Sequence, residues 1–159
     1  MGITDRISAT DIVLDLSASN KRHVLETLAT EASRRIGRPQ AEILGALQDR
    51  EALGSTALGR GVALPHARLA GNDPPVMIFA RLRRPIDYEA RDEEPVDLVI
   101  LVLWPEASPE GFLPALSEIC RALRSPQALR RLRAVTSAEE VVALLERYGQ
   151  AGADTPEGE

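Results

Sequence analysis

Hydrophobic and polar positions change their period several times along this chain, and each change marks a predicted element. After a loose lead-in over residues 1–10, the apolar run Ile12, Val13, Leu14 through Leu16 predicts a first strand. Ser19 or Asn20 can then cap a helix that carries Val24, Leu25, Leu28, Ala32 and Ile36 on one face, and Gly37 suits its left-handed end. Pro39 fits the first turn of a second helix, with Ile43, Leu44, Leu47 and Leu53 on its apolar face. Gly54 closes that helix. A short strand, Val62, Ala63 and Leu64, runs directly into Pro65 and His66.

The second half reads more simply. Residues 76–82 are rich in strong β formers and predict a strand, whereas residues 85–95 are acidic and turn-rich and predict a surface loop or hairpin arm. Residues 96–103 form the best strand in the chain, and their nearly continuous apolar character predicts a central strand covered on both faces. A helix start at Ser108, Pro109 and Glu110 precedes the stripe Phe112, Leu113, Leu116, Ile119, Cys120 and Leu123. Pro126 opens a short helix with Leu129 and Leu132. Ser137 and Glu140 form a capping box ahead of Val141, Val142, Leu144 and Leu145. The order of elements predicts an α/β layered domain, a sheet with helices on both faces. One domain is expected over residues 1–148, followed by a disordered tail over 149–159.

Composition narrows the function. Aromatic residues make up only 3%, so the core must be aliphatic and base-stacking surfaces for nucleic acid are not expected. The net charge of −5 argues against a general polyanion binder. The single cysteine, Cys120, excludes an internal disulfide and fits a reducing compartment. No signal peptide is recognisable and no apolar run approaches the roughly 18 residues needed for a membrane span, so a cytoplasmic location without membrane insertion is expected.

The chemistry concentrates between Gly54 and Arg68. Glycines, Ser55, Thr56, Arg60, Arg68 and one of the chain's 2 histidines, His66, crowd into this stretch. A histidine in such company serves as metal ligand, general base or phosphoryl acceptor, or simply ends a strand with its ring bonded to backbone. A metal site finds no Cys-x-x-Cys, no His-x-x-x-His and no acidic residue within a few positions of His66. His23 falls outside the apolar stripe of its helix and is expected in solvent. A serine hydrolase would need a nucleophile on a sharp Gly-x-Ser-x-Gly turn, which Gly54, Ser55 and Thr56 do not provide. A phosphoryl acceptor needs one open ring nitrogen and donors for a dianion. The amides of Gly59 to Gly61, the hydroxyls of Ser55 and Thr56 and the Arg50 guanidinium are candidates for that role. Asp87 and Asp97 are candidates for holding an arginine or the imidazole, and the late arginines Arg121, Arg124, Arg130, Arg131 and Arg133 read as a solvated helical face or a surface for an acidic partner.

The combination Asp49-Arg50-Glu51, then Gly54-Ser55-Thr56, then Gly59-Arg60-Gly61-Val62-Ala63-Leu64-Pro65-His66, resembles the signature of enzyme IIA proteins of the fructose/mannitol class of the bacterial phosphoenolpyruvate-dependent phosphotransferase system. Its nitrogen-regulatory branch, PtsN, is the nearest in character. The resemblance runs from about residue 10 to about 147 and takes in Pro95-Val96-Asp97-Leu98-Val99 and Ser137-Ala138-Glu139-Glu140-Val141. It implies a mixed β-sheet flanked by helices on both faces. It implies that His66 accepts a phosphoryl group from a phosphohistidine carrier protein, with Arg50, Ser55 and Thr56 beside the phosphate and no metal or organic cofactor. The output would be a regulatory target protein or a transporter; a sugar-specific transport subunit and a pure binding module are the alternatives.

Three positions depart from the family's usual pattern. Phe112 stands where a second histidine is usual, and it cannot donate a hydrogen bond to phosphate, so slower transfer, a less stable phosphohistidine or a site that only binds and no longer relays is expected. Arg60 replaces a usual asparagine and is expected either to add a cation beside the phosphate or to lie in solvent. Ala67 and Arg68 replace a pair such as Gly-Lys, with Arg68 keeping the positive charge.

Overall fold

The strand with the most continuous apolar run sits at the centre of the sheet. The computed structural model describes residues 7–154. A 3-10 turn at Ala9–Asp11 leads into β1 (Ile12–Leu16), followed by α1 (Lys21–Ile36) and α2 (Gln40–Ala52). Then come β2 (Ala57–Gly59), β3 (Val62–Ala63), β4 (His66–Leu69), β5 (Val76–Ile86) and β6 (Val96–Pro105). The helices α3 (Phe112–Arg124), α4 (Pro126–Ala134) and α5 (Ala138–Asp154) complete the described chain. The strands form one 6-stranded sheet in the order β1-β5-β6-β3-β2, with β4 also paired to β6. The β5–β6 and β2–β3 pairs are antiparallel, whereas β1–β5, β3–β6 and β4–β6 are parallel, so the sheet is mixed as expected.

Period-two alternation along β6 explains why it reads as a solid apolar run. Val99, Leu101 and Leu103 point into a core shared with Leu25, Leu28, Ile43 and Leu47 of α1 and α2. Leu98, Ile100, Val102 and Trp104 point into a second core shared with Ile119, Leu132, Val141 and Leu145 of the three later helices. Covering both faces removes the polar positions that an exposed sheet would require. The caps behave as their residue types dictate. The Asn20 side chain accepts from the His23 N–H at 2.8 Å, and Gly37 takes φ 73° after α1. At the start of α5 the Ser137 hydroxyl accepts from the Glu140 N–H at 3.2 Å and donates to the Glu140 carboxylate at 3.1 Å.

Several elements differ from the sequence expectation, each for a local reason. Ile7 is buried in the second core, so the lead-in is anchored there, and residues 1–6 lie outside the described residues. Helix α5 runs to Asp154, past Gly149, while the tail residues 155–159 lie outside the described residues. Helix α3 starts at Phe112 and not at Ser108, because the buried Trp104 indole N–H donates to the carbonyls of Ser108 (3.1 Å) and Glu110 (3.2 Å) and holds that segment as a loop. Tyr88 turns inward from the 85–95 segment and is fully buried. Leu53 leaves the apolar stripe of α2 and is 84% exposed.

The stretch before His66 contains a further strand. Gly59 pairs with Val62 across a two-residue turn whose members, Arg60 and Gly61, both have positive φ, 58° and 79°. Positive φ at both central positions is the signature of a tight hairpin whose twist matches its strands. The glycines around Arg60 therefore serve a turn. Strands β3 and β4 lie end to end along the same side of β6, with Val62 opposite Leu98 and His66 opposite Val102. Pro65, which has no N–H to give a ladder, separates them, yet its carbonyl still accepts from the Val102 N–H at 3.0 Å.

Candidate functional site

His66 opens β4, and the strand's alternation decides what surrounds it. Ala67 and Leu69 point into the core beneath α1 and α2. His66 and Arg68 therefore share the opposite face of the strand. A groove of about 650 Å³ opens over this segment, between the end of α2 and the start of α3. Asp49, Arg50 and Leu53 line one wall; Phe112 and Leu113 line the other, with Glu106 and Arg68 also at the groove. His66 is half-buried there, so it reaches the groove without being sealed beneath it.

Its ring is fixed at one nitrogen. Nδ1 lies 2.8 Å from the Leu64 carbonyl oxygen. A carbonyl only accepts, so the contact requires the ring proton on Nδ1 and leaves the lone pair of a neutral imidazole on Nε2. On one side the ring meets Phe112, with centroids 6.1 Å apart and planes tilted by 58°. Phe112 is backed in turn by the buried Trp104 at 5.7 Å. Aromatic contact thus orients the imidazole from the position where the sequence signature suggests a polar partner.

Arg50 sits in the last turn of α2. One of its Nη atoms donates to the Gly54 carbonyl at 2.9 Å, which ties the guanidinium to the turn after the helix. Its remaining N–H groups take no protein partner among the described residues. Arg68 is exposed and likewise unengaged among them, so two guanidinium groups face the same groove as the imidazole. Asp49 and Glu106 offset their charge. Open guanidinium groups in the same groove as an imidazole lone pair are suited to bind a phosphoryl group by charge-assisted bonds.

The neighbouring polar residues are spent elsewhere. The Glu51 carboxylate, 7% exposed, forms an ion pair with Lys21 Nζ at 2.9 Å. It also accepts from the Thr56 N–H at 3.2 Å, from the Thr56 hydroxyl and from the Tyr88 hydroxyl at 3.2 Å. Burial first, and then the charge on Glu51, push the Tyr88 hydroxyl pKa well above its ordinary value. Thr56 is buried, and its hydroxyl faces Glu51 and Tyr88, not the His66 groove. Ser55 accepts from the Ala57 N–H at 3.2 Å and does not line the groove.

Arg60 and Gly61 do not line the groove, and Arg60 is exposed, one of the two outcomes the sequence allows for it. The Gly61 carbonyl accepts from the N–H groups of Asp97 and Leu98, at the start of β6, while His66 pairs with Val102. At about 3.3 Å per residue, that places the hairpin turn roughly 16 Å along the sheet from the imidazole. Arg60 donates to the Arg124 carbonyl at 2.6 Å, the end of α3, and its own carbonyl accepts from Arg133 at 2.6 Å. Asp97 engages Arg133 at 2.9 Å, and Asp87 accepts from the Glu89 N–H at 2.9 Å; neither holds the imidazole. His23 is exposed as expected. Cys120 is half-buried, and burial pushes its thiol pKa up. Among the described residues no group of three His, Cys, Asp or Glu side chains converges to hold a metal, and no helix is long and apolar enough to cross a membrane.

Sequence reasoning missed Leu53, Leu113, Asp49 and Glu106 as groove residues. Helical period assigned both leucines to buried stripes, yet they are 84% and 70% exposed on facing walls. Their position at the last and first turns of their helices was the available signal.

Residues 6–148 match the family described as phosphoenolpyruvate-dependent sugar phosphotransferase system, EIIA 2. A nitrogen regulatory protein of Bradyrhizobium diazoefficiens is 39% identical over 145 residues, covering 91% of this chain and 95% of its own. The crystal structure of nitrogen regulatory protein IIA-Ntr from Neisseria meningitidis superposes with a TM-score of 0.86 at 35% identity, covering 90% of this chain and 98% of that one. IIA mannitol from Escherichia coli, 23% identical and covering 88% and 99% of the two chains, shares the fold with a TM-score of 0.71. With a half-buried imidazole on its sheet and a family match across nearly its whole length, the chain belongs to the EIIA 2 family of the phosphoenolpyruvate-dependent sugar phosphotransferase system.

Proposed function

We propose that His66 accepts a phosphoryl group through Nε2 from a phosphohistidine carrier protein, and that the phosphorylated chain acts as a regulatory signal by changing which partner it binds. The observation that carries this reading is the Leu64 carbonyl contact to Nδ1 at 2.8 Å, which leaves the lone pair of a neutral ring on Nε2, in a groove also lined by Arg68 and the open donors of Arg50. In the transfer the Nε2 lone pair forms a bond to phosphorus as the donor's N–P bond breaks. The electron pair of that bond returns to the donor imidazole, and the proton stays on Nδ1, hydrogen-bonded to the Leu64 carbonyl. Arg50 and Arg68 compensate the charge on the equatorial oxygens, a task of positioning and electrostatics more than covalent machinery.

Leu53 and Leu113 flank the groove as exposed apolar contacts, which suits docking of a protein donor around the imidazole. Identity to nitrogen regulatory proteins supports the regulatory branch over a sugar-transport subunit. Phosphorylation alters the local charge by up to about −2, enough to change partner choice at a groove whose arginines and carboxylates are otherwise balanced.

The test is direct. The chain is incubated with phosphoenolpyruvate, enzyme I and a phosphohistidine carrier protein, then weighed intact. A gain of about 80 Da that disappears in His66→Ala is the expected result. No gain with any of several carriers, or an unchanged gain in His66→Ala, overturns the reading.

A further inference from the structure

We infer that Phe112 makes His66 a holding site, shielding the bond between phosphorus and Nε2 from water so that the phosphorylated state decays slowly. The inference rests on the acceptor reading above and adds a role for a residue that touches no proton or phosphate. Phe112 is half-buried at the first turn of α3, seated between the imidazole and Trp104. Trp104 is buried in the core and anchored through its indole N–H to the loop before α3, so the Phe112 ring rests on a fixed support. The imidazole is thus gripped from two directions, by the Leu64 carbonyl at Nδ1 and by an apolar ring against its side.

Hydrolysis of the phosphorylated ring needs a water oxygen in line with the N–P bond. That oxygen bonds to phosphorus, the N–P bond breaks, its electron pair returns to Nε2, and inorganic phosphate leaves. A water poised for this attack needs polar groups to hold it. Phe112 offers none on its side of the imidazole, and Leu113 and Leu53 add apolar rim, so the charged lining, Asp49, Arg50, Arg68 and Glu106, is the groove's remaining source of held water. Excluding water on the Phe112 side of the imidazole lengthens the lifetime of the modified state.

The experiment phosphorylates the full chain with phosphoenolpyruvate, enzyme I and the carrier, removes those proteins, and follows loss of the added mass with time at neutral pH. Phe112→Leu, which keeps an apolar side chain, should decay within about twofold of the parent, and Phe112→Ala should decay about fivefold faster or more. Phe112→Gln retains length for packing but brings a polar amide and its water; it should also decay faster, and it supplies the answer if the alanine variant does not fold. Equal decay of the polar or truncated variant and the parent, at equal starting phosphorylation, overturns the inference while leaving the acceptor reading standing. Failure of the parent chain to gain mass overturns both.

Discussion

Arg50 and Glu51 are adjacent in the last turns of one helix, yet they belong to opposite kinds of region. Glu51 turns inward to a closed polar cluster in which Lys21, Thr56 and Tyr88 all point at its carboxylate. Arg50 turns to a groove in which, among the described residues, most of its donors, all of Arg68 and one imidazole nitrogen are left open. The cluster satisfies every polar atom it buries and so holds α1, α2 and the 85–95 segment in register. The groove withholds that satisfaction, which is what a site for an incoming anion requires. The difference teaches that a polar signature can be divided between scaffold and chemistry one residue at a time.

Breaking the closed region should have the largest effect. Glu51→Ala leaves the nearly buried Lys21 ammonium with Glu89, at 3.8 Å, and the Tyr88 ring, and removes the acceptor that Thr56 and Tyr88 share, so it should cost about 3 kcal/mol in urea unfolding. Opening the groove instead should spare stability and impair transfer. Arg50→Ala should slow the rate of phosphoryl gain from the carrier about 100-fold, with the unfolding midpoint nearly unchanged. Gly61→Ala probes the hairpin, a second closed region. An added Cβ would lie 2.7 Å from Arg133 Nη2 and 3.3 Å from the Pro95 carbonyl oxygen at a φ of 79°, so unfolding should become easier by about 1–3 kcal/mol.

The cluster also predicts a pH dependence. The Tyr88 pKa is raised in the folded chain, so above about pH 10 the unfolded chain loses that proton while the folded chain keeps it. The unfolded state then binds fewer protons, and stability falls as pH rises. Urea midpoints measured from pH 8 upward should turn down above the ordinary tyrosine value, and Tyr88→Phe should flatten that part of the curve. The smallest effect belongs to Arg60→Ala. Among the described residues its guanidinium bonds only the Arg124 carbonyl, far along the sheet from His66, so transfer should be unaltered and stability should move by no more than about 0.5 kcal/mol.

The fold was legible wherever one local signal sufficed. β6 announced itself because both of its faces are covered, and α1 and α5 because their caps are made by nearby side chains. β2 was not legible, since glycines flanking Arg60 suit an anion-binding loop as well as a two-residue hairpin turn. The candidate site was legible in His66 and Arg50 but not in the division of labour around them. Thr56 becomes scaffold because Tyr88, far along the chain, arrives to share Glu51 with it, and no local pattern encodes that meeting. Leu53 and Leu113 carry the periodicity of buried residues, and only the ending of their helices at the groove brings them to the surface.

The contact between the Leu64 carbonyl and the His66 ring has a stereochemical consequence. It allows the ring to be modified at the nitrogen remote from the backbone and not at the near one, so a single regioisomer of the derivatised imidazole can arise. Nuclear magnetic resonance of the two ring nitrogens distinguishes the isomers, and an antibody raised against the near-nitrogen form would be blind to this chain.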